Sequence, residues 1–218
     1  MEEYNPKYFL YLLQSPGEST RAEYKAAIKF EEDTEFSIKL VKHMLGFANS
    51  NGGYVVIGFN DRDFKMDPKL SAEIVASYDT TRLGQYVKSH ISNDESVMLS
   101  VHKIDFAGHI FPIINVQPFK IYPYFTSDKA TRLKFEGILK KGSLYYRDES
   151  ARTLEIANVI QFKIIIDRCV RNRQAEILSE FRGLLETATG KTISENALFV
   201  RDSSEDWIND ARKRSFTK

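Results

Sequence analysis

Four polar side chains in the stretch 17–61 have types that could do chemistry together: the carboxylates Glu18, Glu23 and Asp61 and the ammonium group of Lys25. Asp61 comes just after an apolar run, where rigid backbone would hold a carboxylate that can still reach a ligand. Glu23 and Lys25 are two residues apart, so on a strand they share one face. A functional site requires Asp61 to lie beside them. Otherwise the acids are turn residues, and Glu23 with Lys25 is a solvated ion pair of small worth.

Hydrophobic patterning predicts the elements that would position these side chains. Residues 22–30 alternate loosely between apolar and polar, which indicates a half-buried strand. Residues 36–48 carry apolar side chains at helical spacing behind Thr34, a candidate N-cap, and a double glycine then ends the helix. Residues 54–59 (YVVIGF) predict a buried strand, because the run is short, β-branched and aromatic.

Composition limits the class of protein. The 218 residues suffice for one sizeable domain, with or without an extension, and 31 basic against 30 acidic side chains give a net charge of +1. Any basic surface for nucleic acid must therefore be local. The single cysteine, Cys169, excludes an intrachain disulfide and a cysteine-rich zinc site. No apolar run approaches a membrane span, so we expect a soluble, cytoplasmic protein without a membrane partner.

The rest of the chain follows the same patterns. The predicted elements are a short helix at 5–14, helices near 71–76 and 79–91, a hairpin of 97–106 with 110–116, a strand pair within 138–147, and one long or two shorter helices from 153 to about 185. Pro112 falls inside the second hairpin run, which places that strand at a sheet edge or a bulge.

A local basic segment precedes the long helix. Aromatic residues are interleaved with cations there, and basic side chains pair with phosphates while flat rings stack on unpaired bases. The predicted nucleic-acid-binding residues are Lys134, Lys140, Lys141 and Arg147. The alternative is a solvated hairpin over an aromatic core.

Several motifs in one order resemble the Schlafen AlbA-type domain, which in bacteria is also described as a divergent ATP-binding or DNA-binding domain. They are E-S-x-x-x-E-Y-K at 18–25, F-A-N-S-N-G-G at 47–53, V-V-I-G-F-N-D at 55–61, P-F-x-x-Y-P-Y at 118–124 and Y-Y-R-D-x-S at 145–150. The resemblance implies an α+β fold with a mixed or antiparallel sheet flanked by helices. The resemblance spans roughly residues 18–153. With the N-terminal helix at 5–14 added, we expect the domain at 1–152, followed by a helical extension with a basic tail at 153–218.

The resemblance also implies a site. Schlafen ribonucleases use two glutamates of the first motif and an aspartate after the strand that follows the double glycine, which here are Glu18, Glu23 and Asp61. These carboxylates would bind Mg²⁺ or Mn²⁺, and Lys25 would hold a phosphate oxygen or the leaving group. The family pairs two such domains in a horseshoe, and a homodimer could supply the second here. His43 is assigned no role.

The resulting hypothesis is a metal-dependent endoribonuclease that cleaves structured RNA, with tRNA as the expected substrate. A non-catalytic DNA- or RNA-binding module of a regulatory protein is the alternative, and an assembly domain built on the long helix is a third. The chain contains no Gly-x-Ser-x-Gly and no Walker-type phosphate loop, which argues against a serine hydrolase and against ATP binding.

Overall fold

The computed structural model describes residues 5–60, 62–92, 95–127, 137–190 and 192. Within these ranges the chain forms five helices and six strands. The helices are α1 (Pro6–Gln14), α2 (Glu35–Ala48), α3 (Ala72–Ser77), α4 (Thr80–Ser89) and α5 (Val159–Thr189). The strands are β1 (Ala22–Lys25), β2 (Gly53–Ile57), β3 (Leu99–Phe106), β4 (His109–Val116), β5 (Tyr145–Arg147) and β6 (Thr153–Glu155). No helix in the described part combines the length and the hydrophobicity needed to cross a membrane.

Four of the strands form a mixed sheet in the order β1-β2-β4-β3. Strand β1 runs parallel to β2, whereas β4 is antiparallel to both β2 and β3. Strands β5 and β6 form a separate antiparallel pair. The described residues thus have the predicted α+β architecture, a mixed sheet flanked by helices.

Helix α2 begins and ends at its capping signals. Thr34 Oγ1 accepts a hydrogen bond from the Ser37 backbone N–H (3.2 Å), and Ser37 Oγ accepts one from the Thr34 N–H (3.0 Å). At the other end Asn49 is the C-cap. Three residues later Gly52 has φ +70°, the left-handed conformation, and its N–H donates to the Phe47 carbonyl (2.9 Å). A Cβ added to Gly53 would lie 2.2 Å from the Phe47 ring, so glycine lets the chain turn directly from α2 into β2.

The sheet is covered on both faces. Helix α1 packs on one face, where Tyr24 and Val56 are buried. Helices α2 and α4 pack on the other, where Val55 and Ile57 are buried. Each such side chain contributes about 1.5–3 kcal/mol by leaving water. Since residues alternate along β1, its polar residues lie on the α2 face.

Strand β1 is shorter than the sequence predicted. It ends at Lys25 rather than near residue 30, because side chains from later in the chain bind the backbone that follows. Asp67 Oδ2 accepts a hydrogen bond from the Ala27 N–H (3.0 Å), and Ser77 Oγ accepts one from the Phe30 N–H (2.9 Å). These side chains thus bind backbone N–H groups that a neighbouring strand would bind in a longer β1.

Two predictions about the later strands are wrong. Strand β4, which contains Pro112, lies between β2 and β3 and not at the edge of the sheet. Proline is tolerated there because β2 pairs only with the residues from Ile113 to Val116, so Pro112 needs no partner on that side. The predicted strand pair within 138–147 is replaced by the pairing of β5 with β6.

The chain divides by contacts into two units, Met1–Cys169 and Val170–Lys218. The first contains β6, which pairs with β5, and the start of α5, where Ile165 is buried. In the second, the described part of α5 exposes large apolar side chains, including Ile177 (49%) and Leu184 (69%). The division at residue 152 drawn from the sequence stays a prediction.

Candidate active site around Glu23

Strand β1 positions Glu23 and Lys25 on the α2 face of the sheet. The register pairs Glu23 with Val55 and Lys25 with Ile57. Lys25 Nζ donates to Glu23 Oε1 at 2.5 Å, as expected for two residues on one face of a strand. The carbonyl of Lys25 accepts a hydrogen bond from the Phe59 N–H (3.1 Å), so the segment that follows β2 begins beside the end of β1.

Glu23 is buried among positively charged groups. Its side chain is 4% exposed, and Arg147 Nη1 lies 2.5 Å from Oε2. Burial alone would raise the pKa of Glu23. His43, Lys25 and Arg147 outweigh it, in that order, and hold the pKa below its usual value. Since His43 is neutral above about pH 4, Lys25 and Arg147 supply the charge near neutral pH. Glu23 is therefore a buried carboxylate that stays ionised.

Arg147 uses all its donors inside the protein. Nε donates to the Ser19 carbonyl (3.3 Å), and Nη2 donates to the carbonyls of Ser19 and Ala22 (3.0 Å each). Nη1 donates to Glu23 Oε2 and to Thr153 Oγ1 (3.4 Å). The guanidinium has five N–H groups, and each has an acceptor here. With a side chain 1% exposed, this geometry does not fit the predicted contact of Arg147 with a nucleic-acid backbone.

His43 and Thr153 belong to the same cluster, and the sequence-based interpretation missed both. His43 Nδ1 lies 3.5 Å from Glu23 Oε2 and 3.2 Å from Thr153 Oγ1. Burial lowers the pKa of His43 to about 4, although the charge of Glu23 acts in the opposite direction. The spacing from Leu40 and Phe47 could have placed His43 on the inner face of α2. No sequence signal marks Thr153.

Of the other predicted site residues, the structure describes three. Glu18 is exposed and directly precedes a tight turn, in which Ser19 and Ala22 exchange backbone hydrogen bonds (3.0 and 3.4 Å). Lys140, which pairs with Glu155 (2.6 Å), and Lys141 are exposed near the start of β5. The remaining two predicted residues, Asp61 and Lys134, lie outside the described residues.

Carboxylate oxygens are the ligands that Mg²⁺ and Mn²⁺ prefer, so the predicted donor set fits such an ion by its chemistry. The described residues alone do not complete a metal site, since no three His, Cys, Asp or Glu side chains among them could hold an ion together. Both oxygens of Glu23 are occupied by cationic partners, Lys25 on Oε1 and Arg147 on Oε2. A divalent ion would therefore need Glu18 and Asp61, and an oxygen that Lys25 or Arg147 now holds.

Three comparisons relate this chain to known proteins, and the family model agrees with the motifs. The DIP2311 protein of Corynebacterium diphtheriae has a similar structure, with 14% sequence identity and a TM-score of 0.46 over 71% of this chain. The matched part of this chain spans 27% of that protein, about a quarter of its length. A comparison with curated proteins gave no match. The sequence model of the family described as "Schlafen, AlbA_2" matches residues 18–154, more than half of the chain. The chain therefore belongs to the Schlafen AlbA_2 family.

Proposed function

We propose that this chain is a metal-dependent endoribonuclease that cleaves structured RNA, with tRNA as its substrate. Its catalytic residues are Glu18, Glu23, Asp61 and Lys25. The observation that supports this best is the pair formed by Glu23 and Lys25: a buried, ionised carboxylate with an ammonium group 2.5 Å away, on a strand at the edge of the sheet. Membership of a family with a nucleic-acid-related function supports it further.

Lys25 is the residue that can change partners. Its side chain is 20% exposed, whereas that of Glu23 is 4% exposed. When Nζ moves to a non-bridging phosphate oxygen, it compensates charge that develops during hydrolysis. Glu23 Oε1 then becomes available, while Arg147 keeps Oε2 and the carboxylate remains ionised. Lys25 and Glu23 would thus each take a new partner on substrate binding, without a change in the fold.

Glu18, Glu23 and Asp61 would hold Mg²⁺ or Mn²⁺. When bound, the ion supplies Lewis-acid chemistry: it lowers the pKa of water and neutralises charge on the phosphate. Glu18 is exposed, so its carboxylate would be accessible to an ion from solvent.

RNA would bind through the exposed cations before β5. Lys140 and Lys141 are exposed, and Lys134 belongs to the same basic segment. Such contacts to phosphates provide affinity but no base specificity. We further propose that a second copy of the chain completes a two-domain horseshoe around the RNA. The large apolar side chains exposed on α5 after Cys169 are consistent with a role in association.

The test is incubation of the protein with tRNA and Mn²⁺, beside the variants Asp61→Asn and Glu18→Gln. We expect wild-type cleavage that either substitution, or EDTA, abolishes. Glu18 is exposed, so its loss should leave folding intact. Lys69→Gln is a matched control, because Lys69 is exposed and its backbone N–H, not its side chain, bonds Asp67. Its cleavage should equal that of wild type.

One observation favours a second candidate, a non-catalytic nucleic-acid-binding module. Both oxygens of Glu23 already have cationic partners, which is how a purely structural carboxylate would look. Tight tRNA binding without cleavage, equal in wild type and in Asp61→Asn, would establish this module and exclude the nuclease.

A further inference from the structure

The guanidinium of Arg147 holds the segment that carries two of the proposed acids. Its acceptors are the carbonyls of Ser19 and Ala22 and the carboxylate of Glu23. The two carbonyls lie at the ends of the tight turn that separates Glu18 from Glu23. One side chain, 124 residues away from Glu23, therefore fixes both the turn and the carboxylate that follows it.

Arg147 is itself fixed by the end of α2. Its Cζ lies 4.6 Å from the centre of the Phe47 ring, and its backbone N–H donates to Ser50 Oγ (2.8 Å). The backbone two residues before Arg147 is fixed as well, because Asn49 Nδ2 donates to the Tyr145 carbonyl (3.0 Å). Residues of the F-A-N-S-N-G-G and Y-Y-R-D-x-S motifs thus meet the E-S-x-x-x-E motif at a single guanidinium.

We propose that Arg147 is a positioning residue that sets the distance between Glu18 and Glu23, and that it does not contact RNA. The expected effect of Arg147 on cleavage rests on the proposed function. The clamp, by which we mean the hydrogen bonds from Arg147 to Ser19, Ala22 and Glu23, rests on geometry alone. Because all five N–H groups of Arg147 point at protein acceptors, none remains for a phosphate.

Lysine cannot replace arginine in this role. The contacts of Arg147 leave from three nitrogen atoms and reach four residues, whereas a lysine has one nitrogen with three donors. Arg147→Lys keeps a positive charge near Glu23 and loses the clamp on the Ser19 and Ala22 carbonyls. The substitution therefore separates positioning from charge.

The experiment compares wild type, Arg147→Lys and the control Arg152→Lys. Arg152 lies in the turn between β5 and β6, its side chain is 66% exposed, and among the described residues it pairs locally, with Asp148. Three quantities are measured: amide hydrogen exchange of the peptide 18–24, the Kd for tRNA, and the single-turnover rate of tRNA cleavage with Mn²⁺.

For Arg147→Lys we expect exchange in 18–24 to rise about tenfold or more and cleavage to fall on the order of a hundredfold, as for a misplaced catalytic group. The Kd for tRNA should stay within about threefold of wild type, because one cation in a buried cluster contributes nothing to phosphate binding. The control should match wild type in all three quantities.

Several results would overturn the inference: unchanged exchange in 18–24, increased exchange with unchanged cleavage, or a Kd that weakens as much as cleavage falls. If Arg147→Lys does not fold, Ser50→Ala serves instead, since it removes only the hydroxyl that supports the Arg147 backbone. It should raise exchange in the same peptide by a smaller factor, and no rise would again overturn the clamp. Wild-type protein that never cleaves RNA refutes the proposed nuclease, while the exchange measurement still decides whether Arg147 clamps the turn.

Discussion

Glu23→Gln tests whether the buried pair of Glu23 and Arg147 has the structural role that its geometry indicates. The two side chains are 4% and 1% exposed, and their charged atoms lie 2.5 Å apart. Glutamine keeps the size and one acceptor but removes the negative charge, which leaves the guanidinium uncompensated in the interior. Removing one partner of such a pair costs about 3–5 kcal/mol of the free energy of unfolding.

The expected loss is large for a protein of this kind. Total stability is typically about 5–15 kcal/mol, so about 4 kcal/mol is a substantial part of it. With a urea m-value of about 2 kcal/mol/M, the unfolding midpoint should fall by about 2 M. Urea unfolding followed by circular dichroism at pH 7.5 in EDTA measures this shift. Glu18→Gln is the control, since Glu18 is exposed, and its midpoint should stay within about 0.3 M of wild type.

The double variant Glu23→Gln with Arg147→Met completes the cycle. Methionine removes the positive charge of Arg147 that Glu23→Gln leaves uncompensated. The double variant should therefore be more stable than the sum of the two single losses predicts, by about 2 kcal/mol or more. A loss below about 1 kcal/mol for Glu23→Gln, or strict additivity in the double variant, would refute the pairing.

Three further predictions concern other parts of the molecule. His43→Asn, measured without metal, should reduce the loss of stability between pH 6.5 and pH 4. The pKa of His43 is depressed to about 4, so below pH 6.5 the unfolded chain binds the proton first and wild type loses up to about 3 kcal/mol, as pH-dependent urea unfolding would show. Replacing Lys140 and Lys141 with alanine should weaken tRNA binding and lower the slope of log K against log salt by about 1–2, measured by filter binding from 50 to 200 mM salt. Gly53→Ala should reduce the free energy of unfolding by about 1–3 kcal/mol in urea unfolding, because the new Cβ would lie 2.2 Å from the Phe47 ring.

Local patterns predicted the parts of the site that lie close together in sequence. The two-residue spacing of Glu23 and Lys25 predicted a shared face, and their side chains form an ion pair. The Thr34 cap and the double glycine predicted the bounds of α2, which delivers His43 to the cluster. These inferences hold because helix and strand periodicity is a local property of the backbone.

The partners of Glu23 from distant segments could not be predicted in the same way. The basic residues Lys140 and Lys141 before it predict that Arg147 is an exposed cation as well, yet the Arg147 side chain on β5 points inward onto Glu23. Which face a three-residue strand buries depends on the helix it packs against, here α2, and local composition does not contain that information. The same limit explains the end of β1, where Asp67 takes the place of a strand partner for Ala27.

A crystal structure of the protein grown with MnCl₂, with anomalous data collected at the manganese edge, would show whether Glu18, Glu23 and Asp61 bind one divalent ion. We expect one strong anomalous peak at about 2.1 Å from carboxylate oxygens of Glu18, Glu23 and Asp61, with Lys25 moved off Glu23 Oε1 and Arg147 still on Oε2. A map without a peak at Glu23, in which Lys25 and Arg147 both retain their 2.5 Å contacts to its carboxylate, would contradict it.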